Sequence, residues 1–369
     1  MSELSTPQTT AEFPHAGREL STRQGRLTLN IYPFRSAYES ASPALHEIVA
    51  ASRDKARGLA GIDLQLARII EDIPDYPRLM AAATLSPEIR RGIILVEAGL
   101  DDQRRKFSDR RMVHHTYRNA EAALRIFEGH PYALTAALIQ LAHDLKEDTK
   151  DTCQISIPMI AAILGSEVAE GVDLMTIERP RSKDFYEDIL LKRIAKTDQT
   201  RKMAGRPNIV VLETIDSTDA PASDYRDYKN ESLIIVGDDV IKKSTEKKVG
   251  RIEDFEARWH DSAQHHYDYM RILKAAGIQP LHSVDFNFAK AADVLDADFQ
   301  NTAAQLTQFV SRSRMRAHVV TEQQTQAGDP AGEHLQADGR RGVSRRRFFR
   351  TFAEAASLGG VTVLRTLKP

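Results

Sequence analysis

His143-Asp144-Leu145-Lys146-Glu147-Asp148-Thr149, HDLKEDT, closes a run that is otherwise apolar, Ala133-Leu134-Thr135-Ala136-Ala137-Leu138-Ile139-Gln140-Leu141-Ala142. The composition predicts a core helix over 133–146. Ending such a helix in one imidazole and three carboxylates is costly, because unpaired buried charge costs several kcal/mol or more. A divalent metal compensates that cost directly. His143 and Asp144 are adjacent and project about 100° apart, so both reach one ion sitting off the helix end. Glu147 lies four residues after His143 and three after Asp144, on their face, and Asp148 lies four after Asp144. Two of these groups could hold an ion while a third handles protons. A hard-to-borderline divalent ion takes roughly four to six ligands. Further candidates are His114-His115, at the start of the preceding helix, and Asp216, at the end of the apolar run Ile209-Val210-Val211-Leu212 and Ile215. An adjacent His-Asp pair on its own reads as a surface pair at a helix C-terminus; the full HDxxEDT pattern after an apolar helix does not.

The chain has 369 residues, 41% of them hydrophobic, which allows one large domain or two moderate ones with a genuine core. Its single cysteine, Cys153, excludes a disulfide within the chain and a Cys-based zinc site, and fits a reducing, cytoplasmic setting. The polar N-terminus has no apolar segment of the kind a secretory signal needs. No stretch of about 18 apolar residues predicts a membrane span. The net charge of −1 divides into +7 over residues 340–369 and −8 over residues 1–339. An acidic body argues against nucleic acid as the partner of the whole molecule.

Apolar periodicity predicts an all-α protein. Residues 1–35 read as disordered and 36–83 as a helical extension broken by Pro74 and Pro77. Ser86-Pro87-Glu88 is a helix start, with Ser at the cap and Pro at the first position. Further helices are predicted over 116–128, 156–164, 167–176, 184–198, 208–216, 252–276 and 286–313. Ser232 to Gly237 is the best strand pattern, inside a polar stretch, 219–250, that reads as a surface insertion. Residues 283–320 read as a C-terminal helical segment, 321–342 as a linker and 343–369 as a basic tail.

Several blocks together resemble the HD-superfamily metal phosphohydrolases, specifically the hydrolase domain of RelA/SpoT-type stringent-response proteins and the small alarmone hydrolases. Ile94-Leu95-Val96-Glu97-Ala98, then Gln103-Arg104-Arg105-Lys106 and His115, resemble that family's opening helix, RK pair and first metal histidine. HDLKEDT matches its HDxxEDT. Leu164-Gly165-Ser166-Glu167-Val168-Ala169, followed by Val172-Asp173-Leu174-Met175-Thr176, resembles its FGxEVAxxVDGVT segment, and Asp216-Ser217-Thr218-Asp219 lies where the family has ADLxDN or ADRLHN. The resemblance covers residues 84–280, about half the chain.

The resemblance implies an HD-type helical bundle over 84–282 with His115, His143, Asp144 and Asp216 as metal ligands, for Mn²⁺ or another divalent ion. It implies Glu147 and Asp148 as the residues that position water and move protons. Arg105, Lys106, Thr149 and Asp219 would bind a phosphorylated purine nucleotide. The implied activity is (p)ppGpp 3′-pyrophosphate hydrolysis in a hydrolase-only form, since nothing between 283 and 369 resembles a synthetase. The alternatives are another nucleotide phosphoester as substrate, or a non-catalytic metal- and nucleotide-binding sensor module.

The chain departs from the family where substrate is chosen. His115 is followed by Thr116 in place of Pro, the aromatic Gly-Glu-Pro-Tyr loop is replaced by Phe107 to Val113, and the Asn of ADLxDN is Ala220. Counting back from Ala120 and Ala123 favours His115 as first ligand, whereas counting forward from Arg105 permits His114. His260, His265 and His266 lack a matching carboxylate pattern and read as packing or surface residues. The tail, with Phe348, Phe349 and Phe352 among arginines, could rest on an anionic membrane or a protein partner.

Overall fold

The apolar stretches become helices wherever Ser, Pro and Gly punctuate them. The computed structural model describes residues 19–22, 25–28, 30–101, 103–105, 110–149, 154–176, 199–201, 203–229, 233–236, 239–242, 244–251, 253–254, 266–275, 293–301 and 304. The chain divides into two units, Met1–Val319 and Val320–Pro369. The second, with the linker and basic tail, lies outside the described residues, as does the helix expected over 184–198.

Helices hold most of the described residues. In chain order they are α1 (Tyr32–Glu39), α2 (Pro43–Ala51), α3 (Gly61–Asp72), α4 (Pro77–Leu85), α5 (Pro87–Gly99), α6 (Val113–Ile126), α7 (Ala133–Ala142), α8 (Leu145–Asp148), α9 (Ile157–Leu164), α10 (Ser166–Met175) and α11 (Pro207–Lys229). Residues 266–275 and 293–301 are helical as well, inside the two longer helices expected there. No helix among the described residues is long and apolar enough to cross a membrane.

Local chemistry accounts for the boundaries. Ser86 caps α5, its hydroxyl accepting from the Ile89 amide at 3.1 Å, with Pro87 at the first helical position. Ser156 caps α9 in the same way through Met159, at 3.4 Å. Gly165 separates α9 from α10 at φ +96°, a conformation that favours glycine. The long predicted helix over 133–146 is instead two helices: α7 stops at Ala142, His143 and Asp144 form the junction, and α8 adds one further turn. Both junction residues keep right-handed helical backbone angles, so their side chains still leave one helix end together.

Two stretches hold more regular structure than expected. Residues 19–22 and 25–28, read as disordered, pair as antiparallel strands β1 and β2 in the register Glu19↔Thr28 to Thr22↔Gly25, which places Leu20 opposite Leu27. The stretch 219–250, read as a surface insertion with one strand pattern, holds more regular structure than that, and the pattern at 232–237 forms the strand Leu233–Val236. Its first part continues α11 through Lys229, and its remainder holds a three-stranded antiparallel sheet of Leu233–Val236, Asp239–Lys242 and Lys247–Arg251. Apolar periodicity ends near Asp216 because the later turns of α11 are polar, so the pattern that finds buried helix loses it there.

Helix α7 lies at the centre. Ala136, Ala137, Ile139, Leu141 and Ala142 are fully buried, and α7 packs against α5, α6 and α10. α11 crosses α6 and places Ile209, Val210, Val211, Leu212 and Ile215 in the same core. Gly171 allows α10 to approach α7: a Cβ there would stand 2.3 Å from Cδ1 of Ile139. Gly171→Ala is therefore expected to destabilise the fold by about 1–3 kcal/mol through overpacking, read as a lowered urea midpoint. An unchanged midpoint would mean that Ile139 has room to move aside.

Candidate metal site

Three helices deliver four polar side chains to one place beside the α7–α8 junction. α6 supplies His115, the junction His143 and Asp144, and α11 Asp216. One ligand atom each from His115, His143 and Asp216 lies within 4.8 Å of the others. His115 Nε2 is 2.8 Å from Asp216 Oδ1 and 3.6 Å from Asp144 Oδ2. His143 Nε2 is 3.3 Å from both Asp144 Oδ1 and Asp216 Oδ1, without hydrogen-bond geometry to either. The imidazole centroids are 5.3 Å apart. Of the four residues His143 and His115 are buried, and Asp144 and Asp216 are partly exposed.

The other nitrogen of each ring is already engaged. His143 Nδ1 is 2.9 Å from the Gln140 carbonyl oxygen, which can only accept, so that nitrogen carries the proton. His115 Nδ1 is 2.8 Å from Asp219 Oδ2. Both rings are thereby oriented with Nε2 toward Asp144 and Asp216. Buried Nε2 of His143 and Oδ2 of Asp144 have no hydrogen-bond partner. Two imidazole nitrogens and two carboxylates facing inward suit Mn²⁺, Fe²⁺ or Zn²⁺ in donor type, and the unpartnered buried atoms fit such an ion.

The electrostatics are those of a tightly coupled cluster. Burial works against a charge on His143, yet the carboxylates of Asp144 and Asp216 outweigh it and hold its pKa well above the usual imidazole range. Burial likewise opposes charge on His115, which Asp216 and Asp219 hold in raised form. Asp216 is desolvated too, but the two imidazoles keep its carboxyl well below the usual range. Opposite charges offset burial here, and a cation displacing the imidazole protons would serve the same carboxylates.

His114, the other candidate for first ligand, turns away. Its Nδ1 is 2.8 Å from the Tyr76 hydroxyl and its Nε2 is 3.6 Å from Asp72. Burial and the neighbouring Arg111, Arg118 and Arg110 guanidiniums push its pKa down to about 4.

The remaining expected site residues fall in different places. Glu147 and Asp148 lie on α8, directly after the junction, and are partly buried. Gln103 donates from Nε2 to the Asp148 carbonyl at 2.6 Å, joining α8 to the arm that precedes α6. That arm folds back on itself: the Met112 amide donates to Gln103 at 2.9 Å and the Arg105 amide to Arg110 at 3.0 Å. The Arg105 backbone is thereby fixed within this arm, whereas Lys106 lies outside the described residues. Thr149 is fully buried; its hydroxyl donates to the Leu145 carbonyl at 2.5 Å and accepts from the Ile155 amide at 2.9 Å, so it fastens the end of α8. Asp219 meets His115 and, through both oxygens, Arg118.

Sequence reading did not single out Arg118 and Asn119. Asn119 donates to Asp216 Oδ1 at 3.0 Å. Their positions three and four residues after His115, on the face that His115 occupies, were the available signal. Beside them a cavity of about 600 Å³ opens between α4, α6 and α11, bordered by Tyr76, Arg78, Arg110, Arg118, Asn119 and Asp219.

Of the C-terminal histidines, His266 is fully buried, stacked on Phe299 with centroids 3.9 Å apart and with Nε2 3.1 Å from Asp296. It is a packing residue. His260 and His265 lie outside the described residues.

No family model matches the chain, and no curated protein or solved structure is significantly similar to it.

Proposed function

We propose that this chain is a metal-dependent phosphohydrolase of the HD type acting on a phosphorylated purine nucleotide, with the 3′-pyrophosphate of (p)ppGpp as the leading substrate. The observation that carries this reading is the convergence of His115, His143, Asp144 and Asp216, with both imidazoles holding their Nδ1 on acceptors and their Nε2 toward the carboxylates. A divalent ion held by these four, Mn²⁺ by resemblance, would supply a bound water of lowered pKa and polarise a phosphoryl oxygen. The chain's own groups do the rest. Glu147 and Asp148, one turn on, orient the attacking water, accept its proton and return one to the leaving oxygen. Arg105 offers a guanidinium to the substrate's phosphates. The P–O bond to the nucleoside breaks as the bond to water oxygen forms.

A second reading is a non-catalytic metal- and nucleotide-binding sensor module. Thr149 and Asp219, which the resemblance implies as substrate contacts, instead make the protein contacts described above, so the set implied for placing a substrate for turnover is incomplete among the described residues.

Turnover separates the two. With Mn²⁺ present, ppGpp and a panel of 3′- and 2′-phosphorylated nucleotides should give chromatographically resolved products, ppGpp most efficiently. Glu147→Ala should lower the rate about 10²–10⁴-fold, as expected for loss of a general acid–base group. Metal-dependent nucleotide binding with no product from any substrate would favour the second reading. Equal product formation by wild type and Glu147→Ala would remove the assigned proton-transfer role.

A further inference from the structure

Resting on the metal reading above, we propose that Asp219 and Arg118 form a positioning pair that fixes the His115 imidazole for metal binding. The observations are geometric. Asp219 Oδ2 stands 2.8 Å from His115 Nδ1, on the side of the ring opposite the ligand cluster. Arg118 grips the same carboxylate in a two-point fork, Nε to Oδ1 at 2.7 Å and Nη2 to Oδ2 at 2.8 Å. The side chains of Asp219 and Arg118 are only 10% and 17% exposed, so this contact is shielded from competing water.

The chemistry follows from the inventory of atoms. A metal takes a nitrogen lone pair, so His115 must bind through Nε2 with its proton on Nδ1. A carboxylate on Nδ1 imposes that tautomer and sets the ring plane, and such outer partners typically contribute 10–100-fold to metal affinity. The carboxylate needs a fixed position to do this, and a bidentate guanidinium provides one with two parallel bonds. Arg118 and His115 are one turn apart on α6, while Asp219 comes from α11 and lies one turn beyond Asp216. A single turn of each helix therefore supplies both the ligand and the group that orients it. Asp219 thus acts through His115, and its part in substrate recognition is replaced by a part in metal affinity.

The test uses the full chain stripped of metal and titrated with Mn²⁺ alone by calorimetry. Co²⁺ substitution adds the visible absorption spectrum as a report on histidine geometry, and thermal unfolding of the metal-free protein reports on the fold. Asp219→Ala should weaken Mn²⁺ binding about 10–100-fold and alter the Co²⁺ spectrum. Asp219→Asn, which keeps an oxygen able to accept from Nδ1, should recover part of the affinity. Arg118→Ala should weaken binding as well, and the double Ala variant should lose no more than Asp219→Ala alone, because the arginine acts through the carboxylate. Additive losses would overturn the pairing. Wild-type affinity and Co²⁺ spectrum in a folded Asp219→Ala protein would overturn the proposal while leaving the metal site standing. An affinity loss that follows the metal-free melting temperature across all variants, with an unaltered Co²⁺ spectrum, would assign the pair a structural role instead. Wild type that binds no Mn²⁺ would overturn the metal reading itself and this proposal with it.

Discussion

Replacing His143 by alanine is expected to abolish stoichiometric divalent-metal binding and to lower phosphate-ester turnover by at least about 1000-fold, the several kcal/mol that metal-assisted phosphate chemistry contributes. His143 Nε2 is buried, has no hydrogen-bond partner and is equidistant from Asp144 and Asp216, so no neighbouring group can replace it. Metal content after gel filtration in excess Mn²⁺ and the rate of product release give the two readouts. Because the imidazole also offsets carboxylate charge at the site, its loss should let Asp216 protonate at higher pH than in wild type. Full metal content in His143→Ala would remove it from the ligand set.

The second large effect lies outside the candidate metal site. Glu97, fully buried on α5, receives hydrogen bonds from Arg111 and, at 2.5 Å, from the Tyr117 hydroxyl. Arg111 also donates to Asp72 at 2.6 Å, and Asp72 faces His114. This network pins the arm before α6, and with it the start of the helix that presents His115. Arg111→Ala leaves two desolvated carboxylates without their cation and should cost about 3–5 kcal/mol, measured by urea unfolding. Burial already holds the Glu97 pKa above the ordinary carboxylate value despite Arg111. A raised folded pKa means that the folded state takes up protons more readily than the unfolded chain, so stability attributable to Glu97 is present at low pH and lost as pH rises through the folded pKa. The Arg111→Ala defect should therefore be smaller at pH 5 than at pH 8. A defect independent of pH would show that Glu97 is not the group left exposed to the loss.

Much of the candidate site was legible in the primary structure, and the reasons are specific. HDLKEDT stands out because charge at the end of an apolar helix has few physical explanations. His115 and Asp216 were candidates from their places at helix ends, and the motif resemblance was what tied them to HDLKEDT, since each lies on a different helix. The choice between His114 and His115 was undecidable by counting, because neighbouring residues on a helix face directions about 100° apart. The packing of α6 settles which histidine faces the cluster: His114 turns to Tyr76 and Asp72, His115 to Asp144 and Asp216.

Contacts between distant helices were not legible. Arg118 and Asp219 are separated by 101 positions and share no local pattern, so only the crossing of α6 and α11 brings them together. Thr149 shows the opposite difficulty. Its motif position suggests a ligand contact, while its hydroxyl is held between two backbone groups at the end of α8. The fold followed the same rule. Apolar, well-capped helices such as α5 and α9 were predicted near their observed limits, and the polar half of α11 was not, because a helix without a buried stripe gives no periodic signal.

The most direct measurement is anomalous diffraction at the manganese edge from crystals of the protein grown with Mn²⁺. The account predicts one strong peak within coordination distance of Nε2 of His115, Nε2 of His143 and the carboxylates of Asp144 and Asp216. A peak at another set of residues, or none between these four at saturating Mn²⁺, would contradict it.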